Sequence, residues 1–311
     1  MPPRASVIIA TYKRPDLIGG CLDALDRQSV APLEVLVIDQ SLDDATRRIV
    51  TERPKGPAPV RYFHSEKAGV SLARNIGIRE AKGDVLAITD DDALPEPGWL
   101  GALLRAFDET SPRAGLVGGK ILPLWEGPRP PWFPSSREYL LPVFDPPGPL
   151  APFPEGSLPM TVNLAVDRRV IEKIGNFNED VGPRTGWRIS GEDSLFSWKA
   201  IEAGFPIYYQ PDAVVLHRVP KARMKRSFLL ERSFTEGISL IDIEEKRGIL
   251  DPARLRGHIS WHRRHVVRKV LSLAKYPSLA PWNDPRVFEA LSYAATSVGI
   301  VRTCRERLKS A

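Results

Sequence analysis

Four short apolar runs, "SVIIAT", "EVLVID", "VRYFH" and "DVLAIT", recur along the first part of the chain. Stretches of helical spacing at 15–28, 43–52 and 70–81 separate them. Strand, helix, strand in that alternation is a βαβαβαβ pattern. The runs are nearly continuous in apolar residues and rich in β-branched ones, so they predict strands buried on both faces. That is the signature of a mostly parallel, doubly wound sheet. A further strand is predicted at 116–121. The segment 123–159 is crowded with prolines and has no periodicity, which predicts a long loop over the domain. Its aromatic residues, among them Trp125, Trp132, Phe133, Tyr139, Phe144 and Phe153, either anchor that loop or form a platform for an acceptor.

Beyond it, "TVNLAVDRRVIEKIGNF" reads as a strand and a helix, followed by a glycine-rich stretch at 182–191 and a helix at 192–203. A strand "AVVLH" ends at His217. The rest is mainly helical, with amphipathic stretches at 228–247, 259–274 and 286–308. This divides the chain into a catalytic domain at 1–220, with 123–159 as a candidate acceptor region, and a helical extension at 221–311.

With 311 residues, 42% hydrophobic and 26% charged, the chain fits one large globular domain with an appendage, or two domains. The two cysteines, Cys21 and Cys304, are far apart and in no metal-type spacing, so neither a disulfide framework nor a zinc site is expected. The opening residues carry too short an apolar run for a signal peptide, and no later stretch has the length of a membrane span. A cytoplasmic protein is the expectation. Charge changes the picture of the extension: from Lys221 onward there are 19 Lys and Arg against 9 Asp and Glu, a balance of +10, whereas the preceding residues carry −4. Such a tail is either a solvated helical surface or one drawn to anionic headgroups or a phosphate-bearing substrate. No nucleic-acid-binding motif accompanies it, so nucleic acid is not an expected partner.

Chemistry is concentrated where the predicted strands end. Asp90, Asp91 and Asp92 close the fourth strand, and like charges so close together call for a cation or a hydroxyl-rich ligand. The same rim receives the residues after the first strand (Thr11, Tyr12 and Arg14), Asp39 after the second and 64–67 after the third. A bound nucleoside diphosphate sugar would explain the set, because Mg²⁺ or Mn²⁺ on carboxylate oxygens offsets the charge of a departing diphosphate. His217 could complete such a shell or be an ordinary structural histidine. Glu192 and Asp193 open a helix. They read either as first-turn acids that complement the helix dipole or as a general base that deprotonates an attacking hydroxyl. A single base implies direct, inverting transfer.

Taken together, "SVIIATYKRPDLI", "VLVIDQSLDD", "GVSLARNIGIREAKGDVLAITDDDALPEPGWL", "NLAVDRRVIEKIGNFNE", "GEDSLFSWKAIEAG" and "PDAVVLH" resemble the family 2 glycosyltransferases of the GT-A fold. The resemblance covers about residues 5 to 218. It implies a Rossmann-like αβα sandwich, here with a mainly helical C-terminal extension, and metal-dependent, inverting transfer from a nucleotide sugar. Carried over position by position, it makes Asp90 and Asp92 the ends of a DxD motif and Asp193 the catalytic base, supported by Glu192. His217 resembles the histidine that joins the metal shell. Thr11, Tyr12 and Arg14 resemble the loop around the nucleobase, and Asp39 the acceptor for a uracil imide. Arg74 and Asn75 belong to an "ARN" signature near base and phosphates. Asn163 matches a position that approaches the donor sugar or acceptor. Gln40, Thr161 and Val162 depart from the family's usual residues, which bears on the identity of the sugar.

The implied donor is a nucleotide sugar, a UDP-sugar by the likeness of Asp39. The implied acceptor is a saccharide or lipid-linked saccharide of surface polysaccharide or glycoconjugate synthesis. With such acceptors, the basic extension would sit peripherally at the inner face of the cell membrane. Two other readings are weaker. A nucleotidyltransferase needs a glycine-rich phosphate loop after the first strand, and "ATYKRPDL" has no glycine. A degenerate glycan-binding protein would have no reason to keep Asp90, Asp92, Asp193 and His217.

Overall fold

The computed structural model describes residues 4–182, 190–272 and 283–310. Contacts divide the chain into two compact units. The first comprises 1–124, 142–179 and 192–218; the second comprises 125–141, 180–191 and 219–311.

The first unit is built on a sheet. Strands β1 (Ala5–Thr11), β2 (Glu34–Asp39), β3 (Val60–His64) and β4 (Val85–Asp90) lie side by side in the order β3-β2-β1-β4, all parallel. Helices α1 (Pro15–Asp26), α2 (Ala45–Glu52) and α3 (Val70–Glu80) make the crossovers. Alternation along the strands sorts the apolar residues onto two faces. Val7, Ile9, Val35, Val37 and Ala87 pack with Ile18, Leu22 and Leu25 of α1 and with Trp99, Leu103 and Phe107. Ile8, Leu36, Ile38, Leu86 and Ile88 pack on the other face with Ala73 and Ile78 of α3 and with Phe196 and Ala200. Each such side chain, fully withdrawn from water, contributes about 1.5–3 kcal/mol, which is why these runs are strands and why both faces are covered.

The first four strands are parallel, as expected; beyond β4 the sheet is mixed, with antiparallel pairs among its strands. It continues through β8 (Leu164–Asp167), β6 (Leu116–Trp125), β9 (Ile207–Val219) and β5 (Ala93–Pro95), and β7 (Ala151–Pro152) adds to β9. The short strands β5 and β7 have no counterpart in the sequence reading, nor does α4 (Trp99–Glu109), whose Trp99, Leu100, Leu103, Leu104 and Phe107 follow helical spacing and are buried. The acidic turn before α4 and the proline and glycine at its start hide that pattern. Two more helices, α5 (Arg168–Ile174) and α6 (Glu192–Glu202), complete the unit. Asp167 caps α5 by accepting from the Arg169 amide at 3.0 Å.

The proline-rich segment is divided between the units at Leu141. In the first unit, Phe144 and Phe153 stack at 5.0 Å and meet Tyr209 edge to face. In the second, Trp132 and Phe133 pack on Phe288 at 4.8 and 5.9 Å. These rings anchor the segment.

The second unit is helical: α7 (Arg226–Lys246), α8 (Pro252–Ser272) and α9 (Pro285–Ser310). The stretch expected at 259–274 therefore begins earlier, at Pro252, and its last two positions lie outside the described residues, as does most of the glycine-rich stretch after Gly182. Helices α7 and α9 approach so closely that a Cβ on Gly237 would run into the Thr296 carbonyl, and one on Gly299 into the Phe234 carbonyl. Ser233 and Ser292 share a buried hydrogen bond of 2.7 Å across the same seam. Ile241, Leu255, Ile300 and Cys304 fill a small core, and both cysteines of the chain are buried free thiols. No helix among the described residues is long and apolar enough to cross a membrane.

Candidate active site

The register of the parallel strands builds the rim. Thr11 pairs with Asp39 and Asp39 with His64, while Asp90 lies opposite Ala10. Asp91 therefore emerges beside Thr11, whose hydroxyl donates to it at 2.7 Å. The strand order reverses direction between β1 and β4, so the loops after these two strands diverge and leave a crevice at their carboxyl ends, the usual ligand position in such sheets.

Arg14 crosses that crevice. Its guanidinium reaches Asp91 at 2.8 Å and Asp92 at 2.8 Å, relieving the repulsion within the acidic triplet. Burial still pushes the Asp91 carboxyl up to about 7, against the pull of Arg14 and Thr11. On the far side, β5 pairs antiparallel with β9 so that Ala93 faces His217. That register sets the His217 Nε2 atom 3.6 Å from Asp92 Oδ1, with both side chains buried.

The second acidic cluster reaches the triplet through one residue. Arg74, near the start of α3 and almost fully buried, donates to Glu192 at 2.8 Å and contacts Asp90 at 3.3 Å. Asp90, Arg74 and Glu192 thus form a continuous charged chain from the end of β4 to the first turn of α6. The separate roles expected for Arg74, near base and phosphates, and for Glu192, beside the base, are joined here in one ion pair. Two atoms of this chain, Arg74 Nε and Glu192 Oε2, are buried with no hydrogen-bond partner among the described residues. Next to them Asp193 is only half-buried. Desolvation, then the neighbouring Glu192 carboxylate, raises its pKa to about 6, against the opposing pull of Arg74. Gly191, at φ +117°, supplies the backbone turn just before this pair, a conformation a side chain would oppose.

Two asparagines serve the fold. The Asn163 side chain is fully buried: its oxygen accepts from Trp99 Nε1 at 2.8 Å, and its amide nitrogen donates to the Lys120 and Ala213 carbonyls, each at 2.8 Å. The expectation that it approaches donor or acceptor is corrected accordingly, because every polar atom of the amide is occupied. Asn75 likewise donates to the Phe177 carbonyl and to Glu179, each at 2.9 Å, and accepts from the Phe177 amide, so it latches the loop after α5 instead of facing the base or phosphates. Asp39 is buried; it accepts from the Ser41 amide and from the Tyr62 hydroxyl, each at 2.9 Å. Tyr12, in contrast, is exposed at the mouth of the crevice.

Several contributors escape a linear reading. Tyr62 sits diagonally from Asp39 on the neighbouring strand, a relation that alternation predicts once β2 and β3 are paired in register. Gln40, the departure from the family pattern, braces the loop before α3 by donating to the Lys67 carbonyl at 2.7 Å and accepting from the Gly69 amide at 3.0 Å. The Thr161 amide donates to the Asp193 carboxylate.

Among the described residues no three His, Cys, Asp or Glu side chains converge closely enough to hold a metal ion. The expected set Asp90, Asp92 and His217 is thus incomplete as it stands, with Asp90 turned to Arg74. Its chemistry nonetheless suits a hard divalent cation. Two donors about 2.1 Å from one ion lie at most about 4.2 Å apart, and the 3.6 Å between Asp92 and His217 meets that limit.

The family model for glycosyl transferase family 2 matches residues 6–175, more than half of the chain. A glucosyl-dolichyl phosphate glucuronosyltransferase of Haloferax volcanii is 25% identical over 288 residues, covering 89% of each chain. The succinoglycan biosynthesis protein ExoM of Rhizobium meliloti is 29% identical over 236 residues, 74% of this chain and 71% of that protein. Among solved structures, the mannosyltransferase PcManGT of Pyrobaculum calidifontis, in complex with GDP-Man and Mn²⁺, superposes with a TM-score of 0.55 at 21% identity. That match covers all of this chain and 75% of the other, and it speaks for the GT-A fold.

Proposed function

This chain belongs to glycosyl transferase family 2, and from that premise we propose an inverting, metal-dependent transferase that moves a sugar from a UDP-sugar to a hydroxyl of a saccharide or lipid-linked saccharide. The observation that carries the reading is the Arg74 bridge. It ties Asp90, on the rim where a nucleotide would lie, to Glu192, adjacent to Asp193, so that donor-side and acceptor-side carboxylates share one charged network. Relatives that act on dolichyl phosphate-linked sugar and in succinoglycan synthesis support the acceptor class.

In this mechanism the acceptor hydroxyl attacks the anomeric carbon as the bond to the donor's phosphate oxygen breaks, and the Asp193 carboxylate takes the hydroxyl proton. A carboxyl raised to about 6 is still ionised at neutral pH, yet more basic than an ordinary aspartate. Arg14 and Arg74 lend positive charge where the diphosphate leaves, and the burial of Arg74 makes its charge count for more than it would in water. Thr11 and Tyr12 border the nucleobase, and Asp39 accepts from its imide. A divalent cation on Asp92 and His217 would supply Lewis-acid stabilisation of the leaving group.

Titration calorimetry with UDP, with and without Mn²⁺, tests the reading. Metal-dependent binding that Asp92→Ala weakens at least about tenfold is the expected result. Normal turnover in that variant would reject Asp92 as a ligand. A panel of nucleotide sugars, read by thermal stabilisation, then selects base and sugar.

A further inference from the structure

The outward face of α8 has a composition that ordinary solvated helices avoid. Over the 21 residues of α8 there are six Lys and Arg and no Asp or Glu. Its inward side is accounted for: Leu255 and Ile259 join the core with Ile241, Ile300 and Cys304, and His262 bonds Ser297 at 3.0 Å. Successive turns on the other side present Arg256, Ser260, Arg263 with Arg264, Val267 and Leu271, all exposed. Val267 is 57% and Leu271 65% exposed, and Trp261, at 44%, stands on the flank stacked on His265 at 3.8 Å. Arg254 and Lys269 pair with Glu244 and Glu289. Arg256, Arg263, Arg264 and Arg268 have no ion-pair partner among the described residues.

We infer that this face of α8 is a lipid-docking surface, which lies in the plane of an anionic membrane with Val267, Leu271 and Trp261 entering the headgroup boundary and the four arginines on lipid phosphates. Magnitudes favour lipid over a protein partner. Two aliphatic side chains and an indole cover far less than the roughly 800 Å² per partner of a specific protein interface. A lipid surface, in contrast, adds the attraction of each arginine to that small apolar contribution, and its phosphates are everywhere along the helix. Interfacial tryptophan and flanking arginines are what such a boundary selects. A second copy of this chain would face the same row of uncompensated arginines, so like charges oppose that occupant.

Flotation of the full chain with vesicles of phosphatidylcholine alone, or mixed with phosphatidylglycerol, tests the inference. Binding is expected only to the mixed vesicles. It should fall at least about tenfold in Arg263→Gln/Arg264→Gln/Arg268→Gln, from the loss of three charges near the surface. Val267→Ser/Leu271→Ser should also weaken it several-fold, because apolar contact contributes separately. These positions are solvent-facing, so both variants should keep the parent's circular dichroism and UDP binding. Equal binding to both vesicle types would overturn the inference, as would indifference to the arginine variant. Vesicle binding unchanged by the Val267/Leu271 variant, or an oligomer that this variant dissolves, would also overturn it, the latter by assigning the face to another copy. Preferential binding to an oligonucleotide over mixed vesicles would reassign the arginines to nucleic acid.

Discussion

Arg74 and Arg264 carry the same guanidinium into opposite surroundings. Arg74, in the sheet unit, is almost wholly withdrawn from water and held between Asp90 and Glu192. Arg264, in the helical unit, projects from α8 into solvent with no acid on its own helix. Burying an ion is costly, several kcal/mol even after relaxation, and a fold that does so gains little stability from the pair itself. The rim bears that cost four times over in Arg74, Glu192, Asp91 and Asp92. The helical unit packs its seam on hydroxyls and glycines, with the buried Asp242 paired to Arg307, and leaves most of its charge outside. On the readings proposed above, buried charge on the rim supplies a fixed field for chemistry, and exposed charge on α8 meets a lipid surface.

The sharpest way to break this comparison is Asp193→Asn. It should lower transfer by about 10²–10⁴-fold, as loss of a general base does, while UDP affinity measured by calorimetry stays within about twofold. Equal loss of both would assign Asp193 to the fold. Next, Arg74→Met should cost about 3–5 kcal/mol in urea unfolding, because Glu192 is left buried and unpaired and Asp90 loses its partner. Arg264→Met should change stability by less than about 0.5 kcal/mol. Similar costs at the two positions would dissolve the contrast between buried and exposed charge.

Gly237→Ala probes the helical unit in its own terms. A methyl group directed at the Thr296 carbonyl must push α7 from α9, and overpacking of that kind costs about 1–3 kcal/mol. An unchanged melting temperature would show that the seam is looser than its geometry. The mildest test is pH. The folded-state pKa of Asp193 is raised from 3.8 to about 6, so the protonated, inactive form grows as pH falls through 6. The rate should drop about tenfold per unit below that point and change little between pH 7 and 8. A flat profile down to pH 5 would remove Asp193 as the base.

Much of this was legible in the chain. The strand runs, the three crossover helices and the position of the acidic triplet at a strand end follow from local periodicity, since β-branched apolar runs and helical spacing are properties of neighbouring residues. Helix α4 carried the same kind of signal, in Trp99, Leu103 and Phe107, obscured by the acidic turn before it. What could not be read was partnership. Asn163 and Asn75 look like site residues in sequence because they match motif positions of the family, and only the arrival of Trp99 and Phe177 beside them shows their amides occupied.

The sequence by itself determined the alternating framework, the mostly helical end with its excess of positive charge, and which carboxylates stand at strand and helix termini. Tertiary structure alone decided that β8 runs antiparallel between β4 and β6, that His217 meets Asp92, and that Arg74 links Asp90 to Glu192 across 118 positions. The physical reason is reach. Periodicity and burial are set by residues within a few turns of one another, whereas the pairing of charges depends on strand register and crossover direction, which the chain settles only when its layers pack.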